Sequence, residues 1–163
     1  MKILILEDDA PSNEMMEELF KDLQASNPSL EYRFATNLED AMDKIHKQKF
    51  DVIFADQAVP KYNPRTERNL EYQDCKAATE IAQYLTTVGD NETALIMNDG
   101  WRTIDKPHAR IDAILEKMDY EAMEALIKFL TAKMSRNELL AQLNTLHDVK
   151  YGKSIRIPYP GRQ

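Results

Sequence analysis

Apolar and polar positions change period several times along the chain, and each change marks an element. Residues 2–6, KILIL, form a nearly unbroken apolar run, as expected of a strand covered on both faces. Glu7, Asp8 and Asp9 follow, and Pro11 stands where the first turn of a helix accepts proline. Met15, Met16, Leu19, Phe20 and Leu23 then recur at helical spacing to about Gln24. LEYRFA, residues 30–35, alternates and predicts a second strand. Thr36 with Glu39 spells a T-x-x-E capping box, opening a second helix with Ala41, Met42 and Ile45 inward. A third strand runs from Phe50 to Ala55 and ends at Asp56.

Residues 61–74 are polar and aperiodic, a long loop of the kind that in compact domains is functional or disordered. A third helix is expected from about Cys75 to the stop at Gly89. ALIM, residues 94–97, predicts strand four, broken by Asn98, Asp99 and Gly100. Residues 101–109, with Trp101 and Pro107, leave room for a short helix at most. Strand five is expected over about Ile111 to Leu115, after which Asp119 caps a helix through Leu130. Ser135 and Glu138 form another capping box. It opens a sixth helix whose Leu139, Leu140, Leu143 and Leu146 must bury against the same domain or against a second copy.

Five alternations of buried-type strand and helix predict an α/β protein with an open, doubly wound five-strand parallel sheet. Ligands of such sheets bind beyond the carboxyl ends of the strands. In this chain those ends carry Glu7 and Asp8, Asp56, Asn98 and Lys117.

Composition narrows what that mouth does. The 163 residues suit one domain, and 43% hydrophobic with 30% charged content fits a soluble globular chain. The longest apolar runs are too short to cross a membrane, and the N-terminus lacks a signal-peptide pattern. A single cysteine, Cys75, agrees with a reducing cytoplasm. A net charge of −7 speaks against direct nucleic-acid binding. The four glycines form neither GxGxxG nor a P-loop, and the three histidines lie too far apart for a shared metal.

Three carboxylates at one mouth repel unless a cation joins them, and a hard ion such as Mg²⁺ is the natural partner. Asp56 can then act as a carboxylate nucleophile toward a phosphoryl group, with Lys117 and the metal neutralising its oxygens. Asn98 either donates its amide to the same group or serves as a turn residue.

The runs ILILEDD at 3–9, DVIFADQAVP at 51–60 and DAILEK at 112–117 make the chain resemble the receiver domains of two-component response regulators. The resemblance covers residues 2–131 and implies the flavodoxin-like strand order 2-1-3-4-5. It also implies that Asp56 is the modified phosphoacceptor, that Glu7, Asp8, Asp56 and the carbonyl of Ala58 hold Mg²⁺, and that Pro60 shapes the following loop. Lys117 would contact the phosphoryl group. Partners implied by the resemblance are a histidine kinase or phosphotransfer protein and a downstream protein; the short apolar runs predict no membrane contact, and the leucine face of the sixth helix leaves room for a homodimer. The implied role is signalling rather than metabolic catalysis.

The chain departs from the family where the signal is usually relayed. Asn98 stands in place of serine or threonine, Ile114 in place of an aromatic residue, and Met118 in place of the proline after the lysine. The fourth helix is reduced. A pseudo-receiver that binds partners without phosphorylation is the alternative. The expected organisation is a receiver domain over 1–131 with its long loop at 61–74, an added C-terminal helix over 132–152 and an extended tail over 153–163.

Overall fold

The computed structural model describes residues 1–62, 74–99, 108–116 and 119–151. Five parallel strands form one sheet: β1 (Lys2–Leu6), β2 (Glu31–Ala35), β3 (Val52–Asp56), β6 (Ala94–Asp99) and β7 (Ala113–Glu116). Their order is β2-β1-β3-β6-β7, which is the expected 2-1-3-4-5 when only these five are numbered. Two short strands, β4 (Ala58–Pro60) and β5 (Asp74–Lys76), pair antiparallel in a separate ribbon. The helices are α1 (Ala10–Ser26), α2 (Leu38–Lys47), α3 (Ala77–Thr87), α4 (Tyr120–Leu130) and α5 (Arg136–Tyr151).

Side chains of a strand alternate between faces, and the continuous apolar runs supply both. Ile3, Ile5, Val52, Phe54, Ile96 and Leu115 bury in one cluster with Phe20 of α1, Leu126 of α4 and Leu143 of α5. Leu4, Leu6, Ile53, Leu95 and Ile114 bury in the other with Ala41 of α2 and Ile81 and Leu85 of α3. Covering both faces leaves the strand ends as the open ground.

Caps decide where the helices start. Asp9 and Asp119 accept the N–H groups of Ser12 and Ala122. The Ser135–Glu138 box forms in both directions, at 2.7 Å and 3.2 Å. The cap of α2 corrects the sequence expectation: Asn37, not Thr36, holds the position, and its Oδ1 accepts the Asp40 N–H at 2.8 Å. Asparagine ranks ahead of threonine as a cap, so the helix begins one residue later. Cys75, expected in the third helix, lies in β5, and α3 begins at Ala77.

The sixth expected helix is α5, and its apolar face is spent on this same molecule. Leu139 and Leu143 are fully enclosed in the first cluster, and Leu140 and Leu146 pack against it. Arg136 donates to the carbonyls of Glu92 and Asp51, at the starts of β6 and β3. Asn144 Nδ2 donates to the Asp112 carbonyl at 3.2 Å, just before β7. The helix therefore lies along the amino ends of the strands, opposite the acidic mouth.

Candidate phosphoacceptor and metal site

Register brings the site residues together. Leu6 pairs with Ala55, and Asp56 pairs with Asn98. The Glu7 N–H donates to the Ala35 carbonyl at 3.0 Å, extending the β1 ladder one residue beyond the strand. Glu7, Asp56 and Asn98 thus occupy one row across β1, β3 and β6, and residues in one row of a parallel sheet send their side chains to the same side. Asp8 joins from the start of the turn: carboxylate oxygens of Glu7, Asp8 and Asp56 all lie within 4.8 Å of one another.

The three consecutive acids after β1 divide their work. Asp9 turns back into α1, where its Oδ2 accepts the Ser12 N–H at 3.0 Å and the Ser12 hydroxyl at 2.6 Å. Its own N–H donates to Glu7 Oε1 at 3.1 Å, and Asn13 Nδ2 donates to the Glu7 carbonyl at 2.7 Å. Glu7 is only 2% exposed, so its carboxylate is held in place rather than solvated at will. Asp9 is therefore spent on the helix cap, while the carboxylates of Glu7 and Asp8 lie close to that of Asp56.

Two features bear on whether this cluster suits a hard cation. Packing carboxylates this closely, one of them buried, is costly without a compensating positive charge. Beside them, Asn98 is 4% exposed and its Oδ1 is buried without a hydrogen-bond partner. A buried amide left unsatisfied costs about 1–3 kcal/mol. That oxygen lies in the row beside Asp56. A donor set of carboxylate oxygens is of the kind a hard cation such as Mg²⁺ prefers.

After Asp56 the chain is fastened more firmly than its composition suggests. The Ala58 N–H donates to Asp56 Oδ1 at 3.2 Å. Gln57 reaches the start of α3: its carbonyl accepts the Ala77 N–H at 3.0 Å, its Oε1 accepts the Thr79 N–H at 3.1 Å, and its Nε2 donates to Thr79 Oγ1 at 2.8 Å. Ala58 and Pro60 lie in β4, opposite Lys76 and Asp74, and Val59 between them is buried in the second cluster. The Lys61 carbonyl accepts the Glu39 N–H of α2 at 3.0 Å.

Sequence reasoning passed over Gln57 and the ribbon, because neither leaves a periodic signal. It also passed over Arg110, which is 0% exposed and pairs with Asp112 at 2.9 Å. A buried guanidinium among polar loop residues has no one-dimensional signature. Ile114, at the expected aromatic position, is core. Lys117, Met118, Trp101, most of the 61–74 loop and the 153–163 tail lie outside the described residues.

No family model matches the chain, and no curated protein matches it. Solved structures do. A chain of the co-crystal of the Saccharomyces cerevisiae phosphotransfer signalling protein Ypd1 with the receiver domain of its response regulator Ssk1 is similar at 16% identity. That match covers 81% of this chain and 89% of the other, with a TM-score of 0.56. The signal receiver domain of a DNA-binding response regulator from Colwellia psychrerythraea 34H matches at 22% identity over 81% and 98% of the two chains, TM-score 0.56. Thermotoga maritima response regulator TrrA, in complex with Mg²⁺ and BeF, matches at 16% identity over 79% and 97%, TM-score 0.54. The chain has the receiver fold of response regulators.

Proposed function

We propose that this protein is a phosphorelay receiver that accepts a phosphoryl group on Asp56. The observation that carries the reading is the convergence of Glu7, Asp8 and Asp56 at the carboxyl mouth of a receiver-fold sheet, with a buried amide oxygen of Asn98 lacking a partner in the next strand. In the transfer, a carboxylate oxygen of Asp56 forms a bond to phosphorus while the bond from phosphorus to a donor imidazole nitrogen breaks. The electron pair stays on that nitrogen, which takes up a proton, and Asp56 becomes an acyl phosphate. The donor is a histidine kinase or phosphotransfer protein. Receiver-fold neighbours solved with such proteins support that class of partner.

Glu7, Asp8, Asp56 and the Ala58 carbonyl would hold Mg²⁺, whose charge offsets that of the phosphoryl oxygens. Asn98 supplies an amide N–H to the same group once its side chain turns, and Lys117 supplies a cation from the end of β7. Cellular placement in the cytoplasm and output through protein contacts complete the reading.

The test is incubation with Mg²⁺ and acetyl phosphate followed by intact mass measurement. The wild type is expected to gain a phosphate-sized mass and Asp56→Ala to gain none. No gain in the wild type, together with no binding of a beryllofluoride mimic, leaves the phosphate-independent interaction module as the better reading. Burial of Ile114 in the core, where a movable aromatic would otherwise stand, is what favours that second reading.

A further inference from the structure

Gln57 is the residue after the proposed acceptor, and three hydrogen bonds tie it to the first turn of α3. Helix α3 lacks a cap of its own, since Lys76 at the cap position makes no side-chain hydrogen bond to the helix. Gln57 supplies what is missing. Its amide satisfies the Thr79 N–H and hydroxyl, and its carbonyl takes the Ala77 N–H, covering donors that a helix start leaves open. The next residue, Ala58, returns its N–H to Asp56 Oδ1 and pairs across the ribbon with Lys76. One dipeptide therefore touches the acid cluster on one side and the α3 terminus on the other.

We propose that Gln57 is a positioning residue that couples cation loading of the acidic mouth to the order of the α3 N-terminus. The proposal rests on the reading that Glu7, Asp8, Asp56 and the Ala58 carbonyl take Mg²⁺. A peptide carbonyl is a ligand only in the direction its backbone allows, and the Gln57 bonds fix that backbone. By linkage, whatever the anchored α3 terminus adds to cation affinity, the cation returns to the anchoring.

Neutral substitutions separate this role from a change of charge beside the acids. Gln57→Met keeps size and removes both side-chain bonds; Thr79→Val removes only the hydroxyl partner; Thr79→Ser keeps it. The measurements are Mg²⁺ affinity by calorimetry and amide hydrogen exchange of residues 77–80 with and without Mg²⁺. In the wild type, Mg²⁺ is expected to slow exchange in that first turn. Gln57→Met should weaken Mg²⁺ binding about fivefold or more and abolish the Mg²⁺-dependent protection, with Thr79→Val intermediate and Thr79→Ser like wild type. Equal Mg²⁺ affinity in all four proteins, with α3 exchange indifferent to Mg²⁺, overturns the coupling and leaves the acceptor reading standing. No Mg²⁺ binding by the wild type overturns both.

Discussion

Arg110 shows how much one unpredicted residue holds. Its guanidinium meets Asp112 Oδ2 and also donates to the carbonyls of Asp90, at 2.9 Å, and Thr93, at 2.7 Å. Asp112 in turn accepts the Leu95 N–H at 2.8 Å, so the knot joins the approach to β6 with the approach to β7. Removing one member of a buried ion pair strands the other, at a cost of about 3–5 kcal/mol. Arg110→Ala is therefore expected to lose that much in urea unfolding, and a loss under 1 kcal/mol would show the knot to be dispensable. Candidate site residues were more legible than this one. Glu7, Asp8, Asp56 and Asn98 sit at ends of apolar runs, where the α/β rule says to look. Asp9 was left out of that set, but its part as the cap of α1 was not legible, because capping and cation binding favour the same residue type and only the direction of the chain distinguishes them.

At the scale of elements, legibility followed the range of the interactions. Strands β1, β3 and β6 and helices α1, α4 and α5 announce themselves through their own period and caps, and the order 2-1-3-4-5 came with the resemblance. The β4–β5 ribbon did not, because its pairs, such as Val59 with Cys75, join residues separated by the polar loop. Helix α5 had a readable face whose destination was open. Contact with β7 and α4 settles it, since Leu143 is 1% exposed within the molecule's own core. Truncating such a residue to alanine costs about 2–5 kcal/mol through lost transfer energy and cavity. Leu143→Ala should lower the unfolding free energy by that amount at every protein concentration. A loss that instead vanished on dilution would assign the leucine to an interface between copies.

For the whole molecule, acid and cation act on opposite ends of the sheet. At the amino end, burial pushes the Asp90 carboxyl up, but the Thr93 N–H and hydroxyl and the Glu92 N–H outweigh it and hold the group below its ordinary 3.8. A depressed carboxyl contributes stability that is present above the unfolded value and lost as pH falls through the folded one. Asp90→Asn should therefore be less stable than wild type near neutrality. The two should converge in acid titrations followed by circular dichroism below about pH 3.8. A constant gap down to the acid transition would remove Asp90 from the account.

At the carboxyl end three carboxylates lie within 4.8 Å of one another, and a cation bound among them would add to stability. With chelator present, Asp56→Asn relieves repulsion against Glu7 and Asp8 and should melt above wild type. A ligand that binds only the native state adds RT ln(1 + [L]/Kd), about 2.7 kcal/mol at a hundredfold excess over Kd. Mg²⁺ should therefore raise the wild type strongly and Asp56→Asn little, so that the order of the two melting curves inverts. If the mouth is a bare acidic surface, Mg²⁺ will shift both curves alike by screening, and the order seen with chelator will persist. The inversion needs neither a kinase nor an output partner, so thermal scans alone distinguish a carboxylate cluster built for a cation from one that merely faces water.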